Sequence, residues 1–146
     1  MKVFEIEKVI NSNRSEVWDT LTKFPNYENW NSIVPFGSGD LVVGGKLDMK
    51  LKMKGKKIKK FMPKIESVIQ EHEFILSQTA IHKKIAYIKH YFILQKFNET
   101  NTKFVQRWEC SGILIPILWQ VLVQSFKEFE AFNTDLSNQL TVKLKL

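Results

Sequence analysis

GILIPILWQVLVQSFKEFEAFNTDLSNQL, residues 112–140, is the stretch of sequence that decides the fold. Its period indicates an amphipathic helix, because large apolar residues recur at steps of four and three, namely Leu118, Leu122, Phe126, Phe129, Phe132, Leu136 and Leu140. We predict one long helix from about residue 116 to about residue 140, with Pro116 tolerated in its first turn. The first half is apolar on almost every side, so we expect it to be buried on more than one face.

Before Gly112 the apolar pattern has a period of two, which is typical of strands. The clearest run is residues 47–54, in which apolar and charged residues alternate. Leu41, Val42 and Val43 form a short apolar run that leads into Gly44 and Gly45, and two glycines between two such runs predict a tight hairpin, since primed turns need positive φ. Further strands are predicted at residues 2–10, 58–69, 73–79, 85–97 and 102–111.

Helix signals follow the first strand. Asn13 with Glu16 three residues later is typical of an N-cap and its capping-box partner. The helix that begins there should end before Pro25, and Tyr27 and Trp30 should lie in a second short helix or turn. The order is therefore strand, two short helices, six strands and one long helix. This order predicts an antiparallel α+β fold in which a curved sheet grips the apolar helix.

The composition is that of one globular domain, residues 1–146. The hydrophobic fraction of 44% is sufficient for a core and disfavours disorder. Cys110 is the one cysteine, which excludes an internal disulfide framework and fits a reducing compartment. The N-terminus lacks the apolar run of a signal peptide, and the longest apolar stretch, residues 113–123, is about half a membrane span. We therefore expect a cytoplasmic protein.

The net charge of +7 is concentrated locally. Eight lysines and no acidic residue fall within residues 50–64, namely Lys50, Lys52, Lys54, Lys56, Lys57, Lys59, Lys60 and Lys64. One interpretation is a solvated face that protects a sheet edge from aggregation. The other is a surface that binds an anionic membrane or an acidic partner. Nucleic acid is not expected as a partner, because the cations are nearly all lysine and no reading element is present.

An ordered series of short motifs runs along nearly the whole chain. They are Val17-Trp18-Asp19-x-Leu21, Phe24-x-x-Tyr27-x-x-Trp30, Gly44-Gly45-x-Leu47, Phe74-x-Leu76, His90-x-Phe92-x-Leu94, Gly112-Ile113-Leu114-x-Pro116 and Phe129-x-x-Phe132-Asn133. This series resembles the SRPBCC superfamily, the group of START, pollen-allergen and polyketide cyclase domains.

The resemblance implies a helix-grip fold, in which a seven-stranded antiparallel sheet curves around a long C-terminal helix and two short helices follow strand 1. It also implies a hydrophobic cavity between sheet and helix. Members mostly bind lipids, sterols, polyketides or other apolar small molecules, and some catalyse cyclisation or dehydration.

The sequence departs from the superfamily at one position of the last strand. Many polyketide cyclase-like members carry a cavity-facing carboxylate near the end of that strand, where this sequence has Trp108. Glu109 is the next residue and therefore points to the opposite face. The departure disfavours acid–base chemistry and favours either plain binding or a filled core.

The alternating strands and the helix stripe together predict a ligand site on the concave face of the sheet. Its residues are Trp30, Met49, Leu51, Leu76, His90, Phe92, Phe104, Gln106, Trp108, Leu122, Phe126 and Phe129. Trp30 is interpreted either as an entrance residue or as a structural anchor.

His90 and Gln106 are the strongly polar residues assigned to the concave face, and three interpretations of them remain open. They could bond to each other within a packed core, or they could orient a polar group of the ligand. Alternatively, His90 could transfer protons in a cyclase or dehydratase, although no partner base or nucleophile is visible.

We predict no metal and no cofactor. His72, His82 and His90 lack metal-ligand spacing, and no glycine-rich phosphate loop is present. The sequence leaves the identity of the ligand open, and it leaves both monomer and homodimer open.

Overall fold

The computed structural model describes residues 1–145, with side chains described for residues 1–142. In chain order the elements are β1 (Lys2–Ile10), α1 (Arg14–Thr22), a 3₁₀ helix (Phe24–Asn29), β2 (Phe36–Ser38), β3 (Asp48–Leu51), β4 (Lys59–Phe61), β5 (Lys64–Ile69), β6 (Glu73–Ala80), β7 (Ala86–Lys96), β8 (Thr102–Ser111), α2 (Ile115–Lys127) and α3 (Glu130–Lys145). Among these residues, no helix is long and apolar enough to cross a membrane.

The main sheet is antiparallel, with five strands in the order β1-β8-β7-β6-β5. Its register pairs His90 with Leu76 on one side and with Trp108 on the other, and pairs Trp108 with Phe4. Directly paired residues point to the same face of a sheet. These four side chains therefore form one row across the concave face, beneath the C-terminal helices.

A second sheet has three short strands in the order β2-β3-β4. The expectation of one seven-stranded sheet is wrong, because the predicted strand 58–69 divides at Pro63 into β4 and β5, which belong to different sheets. Proline has no N–H to donate to a ladder, so a strand interrupts there.

The turn at Gly44 and Gly45 forms, but it is not the hairpin that the sequence predicts. Gly44 has φ +87°, and the Gly45 N–H donates to the Val42 carbonyl at 2.9 Å. The segment pairs with β5, since the Ile65 N–H donates to the Gly45 carbonyl at 2.8 Å. β3 pairs instead with β2 and β4. The two glycines therefore specify that a turn forms, whereas long-range contacts determine which strand pairs with each flanking segment.

Helix α1 begins as predicted. The Asn13 side chain accepts a hydrogen bond from the Glu16 N–H at 3.0 Å, which is an N-cap. In a capping box the Glu16 carboxylate would accept from the backbone N–H of Asn13. Here it accepts from the Ser12 hydroxyl instead, at 2.5 Å. The Tyr27 hydroxyl donates to the Leu21 carbonyl, which fastens the 3₁₀ helix to α1.

The predicted long helix is two helices, α2 and α3, with a break at residues 128 and 129. At the break the Phe129 N–H donates to the Phe126 carbonyl, three residues back, at 3.0 Å. Regular spacing resumes when the Asn133 N–H donates to the Phe129 carbonyl. The Glu128 carboxylate accepts from the Lys54 N–H at 2.7 Å, which attaches the β3–β4 connection to the break.

The two helices are buried to very different extents. Leu136 of α3 is fully buried. In α2 the buried residues are Ile115 and Phe126, whereas Ile117 is 78% exposed and Val121 61% exposed. The expectation that this half is buried on more than one face is therefore wrong, because protein covers one side of α2 and leaves the other bare.

Cys110 lies on the concave face of β8, within the core. Its side chain is fully buried, and burial raises the pKa of the thiol to about 11. The residue is therefore a protonated thiol at neutral pH and packs as a small apolar group.

Candidate functional site

A cavity of about 180 Å³ lies between the main sheet, the second sheet and the C-terminal helices. Its lining is mostly apolar, and its polar side chains are Gln78, His90 and Ser125, besides the hydroxyl of Tyr27 that is bonded to Leu21. An apolar cavity of about 150 Å³ holds a benzene molecule. This cavity therefore has room for one aromatic ring with a short substituent.

Nine of the twelve residues predicted from the sequence line the cavity, namely Met49, Leu51, Leu76, His90, Phe92, Trp108, Leu122, Phe126 and Phe129. Phe104 and Gln106 face the same side of the sheet but lie outside the lining, because α3 packs directly on them. The Phe104 and Phe132 ring centroids are 6.2 Å apart, and Gln106 bonds to Asn133.

Trp30 also lies outside the lining. It packs edge-on against Tyr27 and Phe132, with ring centroids 4.9 Å and 5.8 Å apart. Both of these neighbours line the cavity, so Trp30 supports the wall from behind. Its contacts join the end of the 3₁₀ helix to α3.

Eleven lining residues are absent from the predicted set, namely Phe24, Tyr27, Val34, Met53, Phe61, Pro63, Phe74, Gln78, Ile88, Ser125 and Phe132. Some of them could have been predicted from strand alternation. Phe74 and Gln78 lie two residues from Leu76, and Ile88 lies two residues from His90, so each points to the same face of the sheet as its predicted neighbour. Others come from the 3₁₀ helix and irregular segments, where no period applies.

Stacked aromatic rings form one wall of the cavity. His90 lies between Phe92 and Trp108, with ring centroids 4.0 Å and 4.4 Å apart and interplanar angles of 27°. Trp108 stacks in turn on Phe126 at 4.6 Å, and Phe129 meets His90 edge-on at 5.4 Å. The column arises because β7 and β8 place these rings side by side and α2 adds Phe126.

A line of hydrogen bonds leads from His90 into the core. His90 Nε2 lies 2.7 Å from Gln106 Oε1, and Gln106 Nε2 donates to Asn133 Oδ1 at 2.7 Å. Because Oε1 can only accept, Nε2 carries the proton, and Nδ1 retains the lone pair. His90 and Gln106 thus bond to each other as the packed-core interpretation requires, while His90 also lines the cavity.

His90 is neutral at physiological pH. Burial lowers the pKa of its imidazole to about 3, against a small opposing effect of the Gln106 hydrogen bond. A proton on this ring would lose its hydration among aromatic side chains, and no charged group compensates for that loss.

Trp108 and Glu109 point to opposite faces of β8, as the sequence predicts. Trp108, at the position where many superfamily members carry a carboxylate, faces inward, and Glu109 faces outward. Trp108 is buried in the aromatic column. Glu109 points outward, where it accepts from the Tyr91 hydroxyl at 2.8 Å and from Arg107 Nε at 2.9 Å. Burial raises the pKa of Glu109, but these hydrogen bonds together with the positive charges of Arg107 and Lys89 outweigh it, so that the pKa is lowered. Glu109 is therefore an ionised surface residue directed away from the cavity.

The cavity mouth lies between β4, β6, β7 and α2. Gln78 lines the cavity and is exposed, and Phe61, Ile88, Leu122 and Ser125 line it and are half-buried.

Seven of the eight clustered lysines lie on the β3–β4 hairpin, beside this mouth, and Lys64 begins β5. Lys54, Lys56, Lys57, Lys59 and Lys60 are exposed. The ammonium groups of Lys50 and Lys52 are engaged locally. Lys50 Nζ lies 5.0 Å from the Phe36 ring centroid, and Lys52 Nζ donates to the Met53 and Lys56 carbonyls.

Within the described part of the chain, no three His, Cys, Asp or Glu side chains lie close enough together to hold a metal ion. His72 and His82 are surface residues that bond to nearby backbone, His72 through the Gln70 carbonyl and His82 through the Lys84 N–H.

No family model and no curated protein matches this sequence. Solved structures do match. A structural-genomics protein from Nitrosomonas europaea gives a TM-score of 0.77 at 13% identity, covering 99% of this chain and 97% of that one. Norcoclaurine synthase from Thalictrum flavum, in complex with dopamine and hydroxybenzaldehyde, gives 0.71 at 14% identity, covering 96% and 86%. A START superfamily protein from Mycobacterium smegmatis gives 0.69 at 10% identity, covering 94% and 95%.

At these identities the likeness shows the fold. The chain has the helix-grip fold that the resemblance of its ordered motifs implies.

Proposed function

We propose that this protein binds an apolar small molecule, built on a single aromatic ring, in the cavity between the main sheet and α2. The lining carries the proposal, because a mostly apolar wall with a few polar groups is the usual composition of a small-molecule site. Burial of apolar surface would drive binding at about 25 cal/mol per Å².

The volume of the cavity favours a small ligand. A space of about 180 Å³ is far smaller than a four-ring sterol or a long acyl chain requires. Of the ligand classes that the superfamily suggests, an aromatic molecule therefore fits best. Norcoclaurine synthase, which has the same fold, is described in complex with dopamine and hydroxybenzaldehyde, and both are single-ring molecules.

The polar end of the ligand is inferred from His90. Its Nδ1 retains a lone pair because Nε2 is bonded to Gln106. A neutral imidazole nitrogen accepts a hydrogen bond, so a ligand that carries a hydroxyl or N–H beside its ring would be preferred over its hydrocarbon analogue.

The surroundings of His90 support binding rather than proton transfer. The imidazole is neutral, and its hydrogen bond from Nε2 goes to an amide. General acid–base catalysis at neutral pH needs a group whose pKa lies near that pH.

Phenol and toluene test the proposal, because both have one ring and phenol carries a hydroxyl where toluene carries a methyl group. We expect both to bind in isothermal titration calorimetry, with phenol the tighter ligand, and we expect His90→Phe to abolish the advantage of phenol. Native mass spectrometry of protein purified from its own host would then name the natural ligand.

Leu122→Trp checks the location of binding. The larger side chain fills the mouth, so we expect the Kd for phenol to rise at least about tenfold, which corresponds to 1.4 kcal/mol. Gln124→Trp is the matched control, because it adds the same side chain to an exposed position of the same helix. Equal Kd values for the two variants would place binding elsewhere.

A further inference from the structure

Three segments frame the cavity mouth, and together they form what we call the mouth rim. They are residues 49–62 of the second sheet, residues 78–88 around the β6–β7 turn, and residues 113–125 at the start of α2. Each segment contributes to the cavity lining, through Met53, Gln78 and Leu122 respectively. The Ile113 N–H also donates to the Lys84 carbonyl at 3.0 Å, which joins the second and third segments.

The mouth rim exposes large aliphatic side chains. Ile81 is 89% exposed at the tip of the β6–β7 turn, and Ile58 is 57% exposed on the β3–β4 hairpin. On the third segment Ile117 and Val121 are exposed and lie four residues apart in α2, which places them on one side of the helix. Ile113 is exposed in the turn that precedes this helix. Contiguous exposed apolar side chains of this kind mark an interaction surface.

The same segments are free of acidic residues. The 15 Asp and Glu residues all fall outside residues 49–65, 74–98 and 110–127. Exposed lysines lie on the first two segments, namely Lys54, Lys56, Lys57, Lys59, Lys60, Lys83 and Lys84. The ion pairs between described residues use Lys96, Lys103 and Arg107, so none of them neutralises the mouth rim.

One pair of lysines shows that this charge opposes the fold. Lys50 of β3 and Lys60 of β4 stand directly opposite each other in the second sheet. Like charges at opposed positions are destabilising. The pairing brings two positive charges to one face of the second sheet, and Lys50 Nζ lies over the Phe36 ring, 5.0 Å from its centroid.

We propose that the mouth rim docks onto an anionic lipid bilayer. Exposed isoleucines enter the boundary between headgroups and acyl chains, while the lysines face lipid phosphates, at about 1 kcal/mol for each lysine near the surface. A second copy of this chain is a poorer occupant, because joining two such faces brings lysines against lysines. An acidic protein surface would pair with the lysines but would offer no apolar contact for the exposed isoleucines.

Vesicle co-sedimentation tests the proposal on the ligand-free protein, so its outcome is independent of the cavity's ligand. The probes are vesicles of phosphatidylcholine with and without phosphatidylglycerol. We expect binding to the vesicles that contain phosphatidylglycerol, little binding to phosphatidylcholine alone, and a steep loss of binding as salt is raised.

Two double variants separate the contributions of charge and apolar contact. Lys57→Glu/Lys84→Glu should lower the partition coefficient at least about twentyfold, given about fivefold for each lysine lost. Its control, Lys23→Glu/Lys96→Glu, makes the same change in net charge at exposed sites outside the mouth rim. Ile117→Ala/Val121→Ala should also weaken binding. Its control is Val42→Ala/Val43→Ala, which should leave binding unchanged, because Val42 and Val43 are about as solvent-exposed as Val121 but lie outside the mouth rim.

Three outcomes would overturn the proposal. They are absence of binding to anionic vesicles, equal losses in the test and control variants, and a homodimer in sedimentation velocity that Ile117→Ala/Val121→Ala converts to monomer. Circular dichroism and thermal melting confirm that each variant is folded before its binding is compared.

Discussion

At the scale of single residues, His90 links protonation to folding. Burial lowers its pKa to about 3, whereas the pKa of an exposed imidazole is 6.5. Between these two values the unfolded chain binds a proton that the folded chain does not bind. The free energy of unfolding therefore falls as the pH drops below 6.5, by about 1.4 kcal/mol per pH unit, and this loss is absent above pH 6.5.

His90→Phe should remove this dependence. Between pH 7 and pH 5 we expect the wild type to lose about 2 kcal/mol of unfolding free energy in urea titrations, and the variant to lose much less. This pH window selects for His90, because Glu66 and Glu109 have pKa values lowered from an ordinary value of 4.5, so their contributions to stability are lost mainly below about pH 5. His82→Gln, at an exposed site, should behave like the wild type, and a wild-type curve that is flat over this range would contradict the prediction.

Individual residues were predicted best where a strand fixes their direction. Alternation along β7 and β8 places His90 and Trp108 on the concave face, and the structure confirms this placement. Alternation cannot show what lies above a residue. Gln106 shares the face of His90 yet is buried beneath Asn133, because α3 packs directly on this part of β8.

At the scale of elements, Gly112 connects β8 to α2 in a backbone conformation that other residues rarely adopt. Its φ is +120°, and a Cβ at this position would lie 2.4 Å from the Ile85 carbonyl oxygen. The Leu114 N–H donates to that same carbonyl at 3.1 Å, so the backbone there cannot move away without losing the bond.

Gly112→Ala should therefore destabilise the protein by more than about 2 kcal/mol, since both the φ and the contact are unfavourable for alanine. Gly55→Ala is the matched control, because Gly55 also has positive φ, at +73°, but has no neighbour within 4 Å of an added Cβ. We expect the control to cost about 1 kcal/mol. Urea denaturation measures both, and equal losses would show that the contact with Ile85 is unimportant.

The elements that the sequence misassigned depend on long-range contacts. A stripe at steps of four and three predicts a helix through residue 128, but it does not indicate that the hydrogen-bonding pattern tightens there. The exposed side of α2 could not be predicted from the sequence either. Apolar residues indicate a tendency to be buried, but they do not show whether another element packs on them.

At the scale of the whole molecule, the size of the cavity should select its ligands. A ligand at about 100 times its Kd stabilises a protein by about 2.7 kcal/mol. For a chain of 146 residues this corresponds to a rise in Tm of roughly 5–10 °C.

We expect this rise with phenol and no rise with a four-ring sterol, measured by differential scanning calorimetry. At the same phenol concentration Leu122→Trp should show about half of this rise or less, because a Kd about tenfold higher leaves phenol at about ten times its Kd or below. Gln124→Trp should behave like the wild type. A larger rise with the sterol would contradict the single-ring assignment and would require a wider cavity than the structure has.

The architecture as a whole was predictable, since the change of period at Gly112 predicts a sheet that grips a helix. The number of strands in one sheet was not, because the division at Pro63 depends on how the second sheet folds over the mouth. The volume of the cavity was also beyond the sequence, because it depends on the interlocking of side chains from every element.

The burial of Cys110 gives the protein a built-in reporter of unfolding. Thiol reagents attack the thiolate, and this thiol is both enclosed and protonated at neutral pH. Alkylation at this one position therefore has to await opening of the core. The time course of alkylation, followed by the mass of the intact chain, measures how often the closed protein opens.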